Sequence, residues 1–252
     1  LSEKEQKEWD QLTVQINSAV GKCEKTPDGK RIPSEKLTVL CSLRARISKE
    51  AEHKFAAAIE ILVNHFEENQ AWLVYCQSKN QMEHLRELLN KHKLRPFMYY
   101  YEMTTEERDA ALMRFETNGG ILLSMKCLDE GVDIPSASHA FIIASDQNPR
   151  QFIQRRGRVL RKDDKSNKKR AIIHDLIVAT SENYSDSLKD LTIAELKRAN
   201  EFAQNSLNQL STEAKIEDIA THSGIPLSKI ELSKKADDFD NINYIEDDEE
   251  NF

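Results

Sequence analysis

Residues 151–161 read QFIQRRGRVLR, a segment that fits the spaced pattern Q-R-x-G-R-x-x-R. The fixed positions of the pattern are Gln154, Arg155, Gly157, Arg158 and Arg161. On a helix, Gln154, Arg158 and Arg161 project from one face, because they are spaced by four and then three residues. A guanidinium is always charged and binds phosphate through two N–H groups, so two of them suit a phosphoryl-transfer transition state. The pattern favours this chemistry over a solvated basic helix end.

A second motif, CLDEGVDIP at residues 127–135, stands shortly before the first. Gly131 permits a tight backbone path. The carboxylate of Asp133 can accept hydrogen bonds from ribose hydroxyls or orient Arg158, or Asp133 can be only a turn residue. Asp129 and Glu130 read as a Walker B carboxylate pair, but they follow a late strand and belong to this motif. We therefore reject the Walker B interpretation.

The two segments together resemble motifs V and VI of the C-terminal RecA-like domain of superfamily 2 helicases and translocases. Residues 72–78, WLVYCQS, resemble motif IV of the same domain. DEGVDIP followed by NPRQFIQRRGRVLR is more similar to XPB-like and restriction-type DNA translocases than to DEAD-box RNA helicases. The resemblance extends over about residues 54–178, roughly half of the chain.

The resemblance implies a nucleotide cleft with ATP and Mg²⁺ as cofactors. Arg158 and Arg161 occupy its arginine-finger positions and are the candidate catalytic residues. The candidate ATP-binding residues are Gly131, Asp133, Gln154 and Arg155. Met125 and Lys126 stand where Thr and Asp are frequent in motif V, so the nucleic-acid contacts of this motif are left open.

Motif IV ends in candidate nucleic-acid contacts, Gln77, Ser78 and Lys79, where a predicted strand meets a predicted helix. Backbone N–H groups at a helix N-terminus attract anions, and a nucleic-acid phosphate would suit them. The alternative is that Ser78 is a plain N-cap. Lys126 is a further candidate for phosphate contact, and none of these residues would read sequence.

The chain shows no phosphate-binding loop of the form G-x-x-x-x-G-K-[ST]. The segments GKC at Gly21 and GKR at Gly29 lack both the upstream glycine and the hydroxyl. Arginine fingers act across a cleft, so we expect an N-terminal RecA-like domain of the same parent chain to precede Leu1 and to hold most of the ATP and Mg²⁺. The chain by itself is predicted to be inactive.

Alternating strands and helices predict an α/β fold, a RecA-like doubly wound parallel sheet with flanking N- and C-terminal helices. The predicted strands are residues 71–76, 96–101, 121–125, 140–144 and 170–178. In the first flanking helix we expect Trp9, Leu12, Ile16 and Val20 to be buried, and in the third we expect Val63 to face inward. The predicted organisation is a helical arm (1–70), the RecA-like domain (71–180), a helical extension (181–232) and an acidic, flexible tail (233–252).

The net charge of −7 conceals a local excess of positive charge. Residues 150–170 hold ten basic residues against two acidic ones, a net charge of +8. Such a patch on an acidic body is compatible with phosphate binding. The four cysteines are widely spaced and the histidines show no ligand spacing, so we expect no metal site and a cytoplasmic protein. No apolar run has the length of a membrane span.

These patterns predict the C-terminal motor half of an ATP-dependent DNA helicase or translocase. Its partners would be DNA and the N-terminal domain, and restriction, repair and defence systems are all open as settings. The alternatives are a non-catalytic RecA-like module that binds nucleic acid or protein, and an RNA-directed helicase. An intact pair of finger arginines argues against the non-catalytic module.

Overall fold

The computed structural model describes residues 1–125, 134, 136–143, 170–179, 185–204 and 206–231. Its strands are β1 Ala71–Tyr75, β2 Phe97–Tyr99, β3 Gly120–Ser124, β4 His139–Ile142 and β5 Ile172–Asp175. Its helices are α1 Glu3–Gly21, α2 Glu35–Lys49, α3 Glu52–His65, α4 Lys79–Lys91, α5 Thr105–Asn118, α6 Asp186–Ala203, α7 Gln209–His222 and α8 Ser228–Glu231. The predicted acidic tail, from residue 233, lies outside the described residues.

The five strands form one parallel sheet in the order β2-β3-β1-β4-β5. The connection through α4 runs from β1 to the β2 edge, and the connection through α5 runs back toward the centre. Because parallel crossovers are right-handed, connections in opposite directions lie on opposite faces of the sheet. The predicted doubly wound α/β fold is confirmed.

The central strand β1 is buried along its whole length, since both faces of the sheet are covered. Trp72 and Val74 point to the face that packs against Leu62 of α3 and Leu85 of α4. Side chains alternate across a strand, so Leu73 belongs to the opposite face. This packing makes the sheet a rigid platform for the turns that follow its strands.

Paired residues place the carboxyl ends of three strands at one edge of the sheet. Tyr75, the last residue of β1, is in register with Ser124 of β3 and Ile142 of β4, which also end their strands. Cys76 continues the ladder, because its N–H donates to the Ser124 carbonyl oxygen at 2.8 Å. The chain segments after β1, β3 and β4 therefore leave the sheet at the same edge.

By compactness the chain divides into two units, residues 1–2 with 47–176, and residues 3–46 with 177–252. The first unit holds the sheet. In the second unit, Leu196 of α6 packs in an apolar cluster with Ile216 and Ala220 of α7. The domain boundaries drawn from the sequence fall at other positions and remain a prediction.

Two details of the predicted helix faces are wrong. Ala19 rather than Val20 is the buried residue at the end of the α1 stripe, because it continues the spacing from Leu12 and Ile16 more closely than Val20 does. In α3, Val63 is 38% exposed, whereas Leu62 is fully buried. Among the helices with described positions, none combines the length and the apolar character that crossing a membrane requires.

Candidate nucleic-acid interface

The turn between β1 and α4 carries three of the candidate nucleic-acid contacts, Gln77, Ser78 and Lys79. All three are half-buried. We call residues 77–79 the motif IV turn. It stands at the carboxyl edge of the sheet, as predicted, where α4 begins at Lys79.

Ser78 is the N-cap residue of α4. Its backbone is extended, with φ −139° and ψ 160°, and its Oγ accepts a hydrogen bond from the Gln81 N–H at 3.2 Å. The same hydroxyl donates to Oε1 of Glu50 at 2.7 Å. The hydroxyl hydrogen is thus already used inside the protein, and a phosphate at this turn would have to bind other groups.

Gln81 fixes the turn from inside the helix. It is 2% exposed, and its Oε1 accepts the Gln77 N–H at 2.7 Å. Its Nε2 donates to the carbonyl oxygen of Lys49, the last residue of α2, at 3.0 Å. The motif IV turn is therefore tied to Lys49 and Glu50 through two separate side chains.

Lys79 places a positive charge beside the turn. Its Nζ lies 4.8 Å from the centre of the Tyr100 ring, a cation–π contact that connects the turn to the segment after β2. The neighbouring Tyr101 is 78% exposed. A cation, a helix N-terminus and an exposed aromatic ring are the groups that single-stranded nucleic acid binds without sequence preference.

The cysteine that ends β1 takes no part in this chemistry. Cys76 is buried, and burial raises the pKa of its thiol to about 12. A thiol with such a pKa stays protonated and is a poor nucleophile. Its role is that of a small apolar side chain in the core on the α3 and α4 face of the sheet.

The remaining predicted site residues lie outside the described residues, and their roles remain predictions. They are Lys126, Gly131, Asp133, Gln154, Arg155, Arg158 and Arg161. The structure does describe the ends of the strands that precede these residues in the chain. Ser124 ends β3 two positions before Lys126, and Ile142 ends β4, the last described strand before the arginine motif.

The two Gly-Lys segments do not form phosphate-binding loops. Such a loop follows a strand and opens a helix. Gly21 ends α1 instead, and Gly29, with φ +85°, lies in a turn closed by the bridge between Lys25 and Arg31. Within the described part of the chain, no group of three or more His, Cys, Asp and Glu side chains could hold a metal ion.

Sequence reasoning identified the turn but missed the residues that support it. Ser78 and Gln81 fit S-x-x-Q, a capping-box pattern, which was the signal for a structural glutamine at this position. No local signal identified Glu50 or Tyr100, because they reach the turn from distant parts of the sequence.

Residues 53–163 match the family described as the helicase conserved C-terminal domain. The matched range begins at the second residue of α3 and runs through the motif IV turn and both predicted motifs. The match covers less than half of the chain, and the doubly wound parallel sheet agrees with it.

Individual relatives agree with this assignment. The chain is 26% identical to a putative ATP-dependent RNA helicase of Methanocaldococcus jannaschii, over 46% of this chain and 16% of that protein. It is 27% identical to the DNA 3'-5' translocase XPB2 of Sulfurisphaera tokodaii, over 42% of this chain and 28% of that protein. The chain thus corresponds to less than a third of either relative.

A solved structure shows the same fold. The SWI2/SNF2 ATPase core domain of Sulfolobus solfataricus superposes with a TM-score of 0.52 at 13% identity, covering 90% of this chain and 47% of that one. These comparisons support the resemblance to the C-terminal RecA-like domain of superfamily 2 helicases that the motifs predicted.

Proposed function

We propose that this chain is the C-terminal motor half of an ATP-dependent DNA helicase or translocase. The observation that carries the proposal is the helicase C-terminal match over residues 53–163, a range that includes the motif IV turn and the sequence of the arginine motif. Parallel α/β sheets bind ligands at the carboxyl ends of their strands. The described ends of β1, β3 and β4 meet at one such edge.

On the nucleic-acid side, the proposed contacts are Gln77, Ser78, Lys79 and Lys126. Contacts of this type hold the phosphate backbone and position the strand without reading its sequence. Lys79 supplies charge, and the N-terminus of α4 supplies backbone N–H groups. Because the Ser78 hydroxyl already donates to Glu50, the proposed contact of Ser78 does not use that hydrogen.

On the nucleotide side, Arg158 and Arg161 act as fingers on a nucleotide held mainly by an N-terminal RecA-like domain. ATP with Mg²⁺, when bound, supplies the γ-phosphoryl group that is transferred to water. The guanidiniums neutralise the charge that develops on that group. Gly131, Asp133, Gln154 and Arg155 shape the near wall of the cleft.

DNA is the proposed strand because the motif pattern and the XPB2 relative both favour it. The match to a putative RNA helicase makes an RNA-directed motor the second candidate. The proposed setting is cytoplasmic, with restriction, repair and defence systems as the candidate pathways.

ATP hydrolysis by the purified chain, with and without duplex DNA, tests the proposal. We expect no turnover in either case, and DNA-stimulated turnover once the N-terminal domain of the parent chain is restored. Stimulation of that parent by duplex RNA but not by DNA would favour the RNA-directed alternative. Robust turnover by the present chain would show that it holds its own phosphate-binding loop, and the half-motor proposal would fall.

A further inference from the structure

The side-chain amide of Gln81 makes two partly buried hydrogen bonds at the motif IV turn. The oxygen accepts the Gln77 N–H, and the nitrogen donates to the Lys49 carbonyl oxygen, 32 residues earlier in the chain. Gln81 itself is only 2% exposed. The amide therefore joins the turn before α4 to the end of α2.

The N-terminus of α5 shows what an ordinary capping box does in the same chain. There the Thr104 Oγ accepts the Glu107 N–H, and Glu107 Oε2 accepts the Thr104 N–H at 2.9 Å. That capping box is exposed, and both of its side chains act only as hydrogen-bond acceptors for backbone N–H groups. Gln81 differs in two respects, because it accepts from Gln77, one residue before the cap, and because it uses a donor. Capping α4 does not require that donor.

We propose that Gln81 is a positioning residue, whose buried amide holds residues 77–79 against Lys49 so that Lys79 and the α4 N-terminus face a nucleic-acid phosphate. The inference rests on the proposed function. A side-chain amide carries its donor and its acceptor on separate atoms, so one Gln side chain can make both bonds at once. Glutamate keeps the acceptor and places a carboxylate against the Lys49 carbonyl, whereas methionine of similar length offers neither group.

A second hydrogen bond anchors the turn to the same place. The Ser78 hydroxyl donates to Glu50, the residue directly after Lys49. Two adjacent residues of the α2–α3 junction thus hold two residues of the turn. A turn held at two points keeps a fixed geometry before its ligand arrives, which lowers the entropic cost of binding.

Amide hydrogen exchange tests the positioning contact without any ligand. In Gln81→Met we expect the Gln77 amide to exchange at least about tenfold faster than in the native chain, since a protected amide loses its acceptor. The β1 amides should stay protected, and Gln81→Glu should restore much of the protection of Gln77. Unchanged exchange at Gln77 in Gln81→Met would overturn the proposal.

Binding of a fluorescein-labelled oligothymidylate across a salt series tests the consequence. We expect Gln81→Met and Lys79→Ala each to weaken binding by about tenfold and to reduce the salt slope by about one phosphate contact. The double variant should bind no more weakly than about the poorer single variant, because both changes remove the same contact. Additive losses would overturn the proposal.

Leu89→Val is the matched control, since Leu89 is fully buried at the other end of α4. It should lower the unfolding temperature and leave affinity and salt slope unchanged. If Leu89→Val loses as much affinity as Gln81→Met, Gln81 only stabilises the fold and does not position the turn. If Lys79→Ala weakens binding and Gln81→Met does not, the inference alone fails. If the native chain shows no salt-dependent binding, the proposed nucleic-acid contacts fail, and the inference fails with them.

Discussion

At the scale of single residues, the backbone of Gly119 is the most constrained point next to the sheet. It ends α5 with φ 70° and ψ −150°, a region open almost only to glycine. A Cβ at this position would lie 2.7 Å from the Gln70 carbonyl oxygen, which accepts the Gly120 N–H that starts β3. A glycine at this position thus allows the end of α5 to lie close to the backbone just before β1.

We expect Gly119→Ala to lower the free energy of unfolding by about 2 kcal/mol or more, from strain and the clash together. Chemical denaturation, monitored by circular dichroism, measures this loss in the free energy of unfolding. Gly21→Ala is the control, because Gly21 ends α1 with no atom within 4 Å of an added Cβ. That change should leave stability equal or slightly higher. Equal losses in both variants would contradict the geometric explanation.

His139 gives the fold a dependence on pH. Its ring stacks on Trp72 with centroids 4.3 Å apart, and its Nδ1 lies 2.9 Å from Ser138 Oγ. Burial lowers the pKa of His139 to about 4, and His174, which also stacks on Trp72, adds to the shift. Burial lowers the pKa of His174 too, with His65 contributing.

The sign of the pH effect follows from these shifts. Well above pH 6.5, the ordinary pKa, His139 is neutral in both the folded and the unfolded chain. As the pH falls from there to about 4, the unfolded chain takes up the proton first, so the folded state loses stability by up to about 3 kcal/mol. Urea unfolding at several pH values measures this loss. His139→Phe should lose less stability over that range, and an unchanged loss would assign the effect to other groups.

At the scale of elements, the sequence signals for helix starts were reliable. Ser78 and Thr104 both cap helices, because a capping hydroxyl acts on N–H groups two or three residues away and needs no distant partner. Four of the five strands are shorter than their apolar runs suggested. The run 96–101 forms only the strand Phe97–Tyr99, since a strand extends only as far as its neighbour pairs with it.

Thr104→Ala should remove the capping box of α5 and lower the free energy of unfolding by about 1 kcal/mol. Thermal unfolding checks this. The control is Thr117→Ala near the other end of the same helix, where the hydroxyl donates to the Met113 carbonyl oxygen within the helix. That hydrogen bond contributes little to stability, so the free energy of unfolding of Thr117→Ala should stay within about 0.5 kcal/mol of the native value. A control as destabilised as Thr104→Ala would argue against a specific capping effect.

At the scale of the whole molecule, the proposed fingers can be tested only in the parent protein. We expect Arg158→Ala to reduce nucleic-acid-stimulated ATP turnover by about 10³-fold or more, with nucleic-acid binding retained, because the guanidinium acts on the transition state. Arg170→Ala, an exposed arginine just before β5, controls for the lost charge. Unchanged turnover in Arg158→Ala would support the non-catalytic module instead.

Much of the fold could be predicted from sequence, and less of the site. The parallel sheet follows from short apolar runs that alternate with capped helices, and both signals are local. The motif IV turn was found in the same way. The contacts that support the turn could not be predicted, because Glu50 lies 28 residues from Ser78 in the chain. A helical pattern shows which face is buried but not which residues pack against it.

The sequence by itself determined the fold class, the helix caps and the motifs that identify a helicase C-terminal domain, because each depends on residues close together in the chain. Only the tertiary structure decided which distant residues meet. Trp9 of α1 donates to Ser187 of α6 across 178 positions, and the two helices belong to one compact unit. The Gln81 amide, likewise, could be assigned its partners only once the sheet had brought Lys49 beside the turn. Periodicity states which side chains are buried, and three-dimensional packing selects their partners.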